Sequence, residues 1–180
     1  MRRIRISTLL LTAGVSAAAL VLTGAMPALA NNGPTTTTFS IGSGSLLVSV
    51  QASASLGSIT SGQTTVSGAL GNVTVTDNRG LASGGSWTAS VISTDFTDSS
   101  GTDIPATNNS YTAPVATTTG TVTLGAPGSG ALNTISPLTA QNATGASGNN
   151  TASWNPTVTV TIPQSATTGI YTATITHSVA

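Results

Sequence analysis

Downstream of residue 40 the chain alternates apolar with small polar residues in short runs, with Val and Thr supplying β-branched side chains that suit a pleated surface. Leu46-Leu47-Val48-Ser49-Val50, Val73-Thr74-Val75-Thr76, Trp87 to Val91, Thr121-Val122-Thr123-Leu124, Val158-Thr159-Val160-Thr161-Ile162 and Tyr171 to Val179 each read as a strand with one face inward. Helix signals are missing. Asp77-Asn78-Arg79-Gly80, Ala82-Ser83-Gly84-Gly85 and Asn108-Asn109-Ser110 read as turns, and residues 140–151 as a long Asn/Gly/Ser loop. Pro105, Pro114, Pro156 and Pro163 stand near strand edges. Short strands at close spacing predict an all-β fold, an antiparallel β-sandwich of immunoglobulin-like architecture.

The pattern changes toward the N-terminus. Arg2, Arg3 and Arg5 precede an apolar run from Leu9 to Leu22, followed by Pro27 and Ala28-Leu29-Ala30. That is the plan of a secretory signal peptide over 1–30, cleaved after Ala30, and it predicts a secreted chain, extracellular or wall-associated. A membrane anchor is the alternative, but Thr12, Gly14 and Ser16 dilute the run and no stop-transfer charges follow it. Residues 31–39, with Asn31-Asn32-Gly33-Pro34 and four threonines, read as a flexible leader, which leaves 40–180 as a single domain. Abundant Ser and Thr raise the alternative of a disordered stalk; the kept Val-x-Val and Tyr-x-Ala-x-Ile periodicities argue for a fold. An exported chain of about 150 residues can bury roughly 68–70% of its unfolded surface. With no cysteine it must hold together by packing.

Charge removes several classes of function. Beyond residue 30, Arg79 is the only basic residue, against Asp77, Asp95, Asp98 and Asp103, and the chain has no Lys or Glu. The basic footprint needed by nucleic acid or anionic lipid is missing, so neither nucleic acid nor, after signal cleavage, a membrane is an expected partner. A serine nucleophile needs a base and an orienting group, yet the one histidine is His177, and nothing like Gly-x-Ser-x-Gly occurs. Paired-carboxylate hydrolysis lacks a Glu, and three of the four Asp fall within 95–103. The expectation is a protein that is not an enzyme and uses no cofactor. Asp95, Asp98 and Asp103 are hard-cation ligands in principle and a weak calcium candidate, but their spacing is not that of an EF-hand, and a solvated turn-rich loop is the favoured reading. One His and no Cys leave a tetrahedral zinc set incomplete.

Two segments carry a resemblance. Val75-Thr76-Asp77-Asn78-Arg79-Gly80 followed by Gly84-Gly85-Ser86-Trp87-Thr88-Ala89 resembles the first signature of WxL domains, a strand ending in Asp-x-Arg-Gly, a glycine-bearing turn, then Trp-x-Leu. Gly169-Ile170-Tyr171-Thr172-Ala173-Thr174-Ile175-Thr176-His177-Ser178-Val179 resembles the second, Gly-x-Tyr-x-Ala-x-Leu-x-Trp-x-Leu. The likeness spans most of 40–180; Ala89 stands in place of the first Leu and His177 in place of the second Trp, which marks a divergent member. It implies non-covalent attachment to the peptidoglycan of Gram-positive cell walls through these motifs.

Candidate binding residues are Trp87, Trp154, Tyr171, His177, Asp77 and Arg79, each with a plain structural reading beside it. Trp87 shares a strand face with Val91, and Tyr171 with Ala173, Ile175, His177 and Val179, so core packing explains them as readily as a sugar platform. Trp154, beside Asn155-Pro156 after the predicted long loop, is the best candidate for an exposed aromatic. Asp77 and Arg79 flank a predicted tight turn, either as a local ion pair or as an organiser of the loop that presents Trp87. Two functions follow. One is a wall-binding module of the cell surface. The other is an assembly subunit of a surface layer or fibre, pairing by its edge strands with other surface proteins.

Overall fold

The computed structural model describes residues 35–180; the predicted signal peptide and the first residues of the predicted leader lie outside the described residues. Ile41–Ala180 form one compact unit. Its fold is all-β, an antiparallel sandwich as the alternation predicts, and among the described residues the one helical element is a 3₁₀ turn at Ala106–Asn108. No helix there is long and apolar enough to cross a membrane.

Eleven strands build it: β1 (Leu46–Ser49), β2 (Thr65–Ala69), β3 (Val73–Ser93), β4 (Phe96–Thr97), β5 (Asp103–Ile104), β6 (Asn109–Thr112), β7 (Thr117–Thr121), β8 (Ser129–Ala131), β9 (Leu138–Trp154), β10 (Thr157–Thr161) and β11 (Ile175–Val179). One sheet runs β1-β3-β9-β7, with β11 also on β3; the other runs β2-β10-β6-β8, and β4 and β5 make a small third ladder. The long strand β3 is shared along one edge. Its first half pairs with β1, Leu46 opposite Asp77, and its second half with β11, Val179 opposite Ala89.

Two predicted strands, 73–76 and 87–91, are the two ends of β3, and the turns placed between them are bulges within one continuous strand. From Asp77 to Gly85 the chain takes eight residue steps while β9 takes four, from Asn150 to Ala146, so β3 balloons outward without reversing. Gly80 and Gly84 sit there at φ +63° and +88°, a conformation that side chains with a Cβ rarely adopt. The residues were those of a turn; pairing with β9 on both sides of the bulge overrides the reversal.

The predicted loop over 140–151 is the middle of β9. Its polar composition hides a buried row of Ala140, Ala143, Ala146 and Ala152, whose small side chains leave room for bulkier neighbours such as Trp87, directly opposite Ala143. The strand predicted at 121–124 lies earlier, at Thr117–Thr121, and only Leu124 makes an isolated bridge, to Ala143. Asn109 and Ser110, read as turn, begin β6. The last predicted strand is shorter, because Tyr171 precedes β11.

The sheets face each other through Val73, Val75, Trp87, Val91 and Trp154 from one sheet and Tyr111, Leu132, Val158 and Val160 from the facing side. The fully buried side chains are concentrated on β3, β9, β6 and β10. Toward β1, β2 and β11 the inward residues Val48, Val66, Ile175 and Val179 are only half-buried, so the sandwich is open on that side.

Candidate functional site

Asp77, Arg79 and Trp87 do meet, around the bulge of β3. Asp77 is fully buried and accepts from the Arg79 guanidinium at both carboxylate oxygens, Nε to Oδ1 at 2.9 Å and Nη2 to Oδ2 at 3.0 Å. The Arg79 backbone N–H also donates to Oδ1 at 3.0 Å, and Nη2 reaches the Ser86 carbonyl at 2.9 Å. On the inner side Asn150 Nδ2 lies 3.5 Å from Asp77 Oδ2, and the Trp87 indole N–H donates to Asn150 Oδ1 at 3.2 Å. The Arg79 hydrogen bonds hold the Asp77 carboxyl below the usual carboxylate range.

Arg79 therefore organises the segment leading into Trp87, but what it positions is a core side chain. Trp87 is 2% exposed and offers no face to a sugar. Trp154, expected at the surface, is also 2% exposed: it ends the inward row of β9 and packs between the sheets. The local Asp77–Arg79 ion pair weighed from the sequence forms, with the Asp77 side chain sealed and only Arg79 keeping partial access to water.

A second polar chain crosses the sandwich. The Trp154 indole N–H donates to the Tyr111 hydroxyl at 3.0 Å, and that hydroxyl lies 3.0 Å from Nε2 of His177 on β11. The Tyr111 and His177 rings are tilted by 57° with centroids 5.6 Å apart. Burial pushes the Tyr111 phenol up to about 12 and pulls the His177 imidazole down to about 4. Charged forms of both are disfavoured, so the chain works as a neutral hydrogen-bonded unit.

His177 also borders a cavity of about 1120 Å³ on the open side of the sandwich. Val66, Val73, Val160 and Ile175 line it from the strands, Phe96 and Tyr171 add aromatic rings, and the connections 50–64 and 162–173 complete the wall. The Tyr171 hydroxyl accepts from the Thr167 N–H at 3.1 Å and donates to the Thr167 carbonyl at 3.0 Å, which pins its ring to the second connection. No Asp, Glu, Lys or Arg borders the space.

The three loop aspartates separate into individual structural tasks. Asp95 Oδ1 accepts from the Ala106 N–H at 2.7 Å. Asp98 accepts from the backbone of Ser100 and Thr102 and from the Ser100 hydroxyl at 2.6 Å, bonds that lower its pKa, while Asp103 is exposed on β5. Among the described residues no three His, Cys, Asp or Glu side chains gather as a metal set.

Of the six residues singled out, Tyr171 and His177 reach the cavity and the other four serve the core. Sequence reasoning missed Phe96 and Tyr111 as site residues and Asn150 altogether. The alternation around Asn109-Ser110-Tyr111-Thr112 was the available signal for Tyr111; Asn150 carried none, because its burial depends on pairing opposite Asp77. No family model, curated protein or solved structure matches this chain.

Proposed function

We propose that this chain is a non-catalytic binding module of the bacterial cell surface, held non-covalently on cell-wall peptidoglycan through the cavity between its sheets. The observation that carries the reading is the position of the segment resembling the second WxL signature: Gly169, Tyr171, Ile175 and His177 all border the cavity. The volume is at or above the roughly 300–1,000 Å³ of ordinary ligand sites, and apolar walls with few polar groups are typical of them. Export rests on the Arg2-to-Ala30 pattern. The absence of Lys, Glu and Cys and the half-buried place of the one histidine favour binding over catalysis.

The test is sedimentation of the full chain with insoluble Gram-positive cell walls, beside Phe96→Ala and Tyr171→Ala proteins checked for folding. An exposed-site variant away from the cavity, Ile135→Ser, is the control. Co-sedimentation lost by about tenfold in the two cavity variants and kept in the control is the expected result. An intact chain that stays in the supernatant removes the reading.

One observation favours the assembly reading. All five residues of β7 are exposed, and this strand pairs only with β9, leaving an edge of Thr side chains and open backbone groups for another chain. Oligomers that grow with concentration in sedimentation velocity, without wall material, would support it.

A further inference from the structure

The Trp154, Tyr111, His177 chain has a direction. An indole N–H can only donate, so the Tyr111 oxygen is its acceptor. Tyr111 is fully buried, and its hydroxyl has one other partner, His177 Nε2. A hydroxyl hydrogen turned elsewhere would be buried without a partner, so it points to Nε2. Nε2 is then the bare, accepting nitrogen, and the ring hydrogen of the neutral imidazole resides on Nδ1.

Nδ1 makes no hydrogen bond among the described residues, and it is not sealed: the only buried side-chain nitrogen or oxygen atoms without a partner there are the two of Asn109. His177 borders the cavity, whose lining carries no charged side chain, and Nδ1–H is the one imidazole donor left free for a ligand there. Asp98 lies against Thr167 and Gly169 of the lining, but its carboxylate is taken up by Ser100, Thr102 and Thr167. An entering ion therefore meets no free counter-charge in the wall, whereas a neutral molecule loses little. Around the imidazole, Tyr111 comes from β6, Val91 lies opposite on β3, and β1, which also packs against β11, carries no charged residue. Burial keeps the ring neutral, and the donor in place, through the neutral pH range.

We infer that the cavity takes an uncharged, oxygen-rich chain of oligosaccharide size, with His177 Nδ1–H donating to one of its acceptor oxygens and Phe96 and Tyr171 against its apolar faces. This rests on the reading of the cavity as the module's binding site, and it names the part of a wall polymer that enters: neutral glycan, not charged peptide or phosphate.

The probe is the uncharged tetramer of N-acetylglucosamine, titrated calorimetrically into the full chain, with the cationic glucosamine tetramer and the anionic galacturonate tetramer in parallel. The neutral tetramer binds at least about tenfold more tightly than either ion. His177→Gln, which keeps a polar group where Nε2 stood, weakens it about three- to tenfold, and His177→Asn, which keeps an N–H where Nδ1 stood, restores part of the loss. Long-range proton–nitrogen spectra of the free protein show the Nδ1–H tautomer.

An Nε2–H tautomer, equal binding of a charged tetramer, unchanged affinity in His177→Gln, or no binding of the neutral tetramer each overturns the inference. Wall sedimentation that still depends on Tyr171 in those cases leaves the wall reading standing. Tetramer binding by a chain that ignores walls removes the wall reading alone.

Discussion

Individual buried polar residues divide into those that are fully matched and one that is not. Asp77 is sealed from water yet meets both prongs of Arg79, a backbone N–H and Asn150, so its charge is compensated where it lies. Asn109 is 1% exposed and neither end of its amide has a partner. It is buried directly opposite Val160 of β10. Replacing it with an apolar side chain of similar size removes an unmatched amide, so Asn109→Leu is expected to raise stability by about 1 kcal/mol. Urea unfolding followed by near-ultraviolet circular dichroism measures it; a variant less stable than the parent would mean that the amide is satisfied in solution.

Among the elements, β9 was the least legible. Asn, Gly, Ser and Thr make up 10 of the 17 residues of this central strand, whose one neighbour, β3, is itself bulged and whose other, β7, is exposed. What the strand needs on its inward face is small size more than apolar bulk, and Ala meets that need among residues that otherwise read as loop. Ala146 is wholly buried opposite Gly85. Ala146→Leu therefore overfills the core and lowers stability by about 1–3 kcal/mol. In a loop the same change would be nearly neutral, so a shift of the urea midpoint decides between the two. The shorter strands behaved differently: β1 and the Val-Thr run of β10 appear within a residue of their predicted bounds, since each has one face toward the core.

For the whole molecule, three buried titratable groups shape the response to pH. His177 falls from an ordinary 6.5 to about 4, so between those values the unfolded chain binds a proton that the folded chain refuses, and stability drops as pH falls through that window. With its partial exposure allowed for, the loss is about 2 kcal/mol. Asp77 adds a further loss below its ordinary 3.8, where its pairing with Arg79 is protonated away. Tyr111 acts at the other end: with its phenol raised from 10.0 to about 12, stability declines as pH rises across that interval. The expected profile is a plateau from roughly pH 6.5 to 10 with slopes on both sides. Denaturant midpoints across pH check it, and His177→Gln should flatten the acid slope between about 6.5 and 4 while leaving the alkaline slope in place.

The strand class, the inward faces of the Val-Thr runs and the poverty of charge were determined by the sequence alone, because period-two alternation and residue inventory are local properties. Whether Asp77-Asn78-Arg79-Gly80 reverses the chain or bulges it, and whether Trp154 faces water or Tyr111, were decided only by the tertiary structure. Both depend on which backbone lies opposite: β9 holds β3 in register on either side of the bulge, and β6 brings the Tyr111 hydroxyl to the Trp154 indole. The cavity likewise exists only because the β2 and β11 side of the sandwich closes less tightly than the side of β9, a packing difference between distant segments that no local pattern carries.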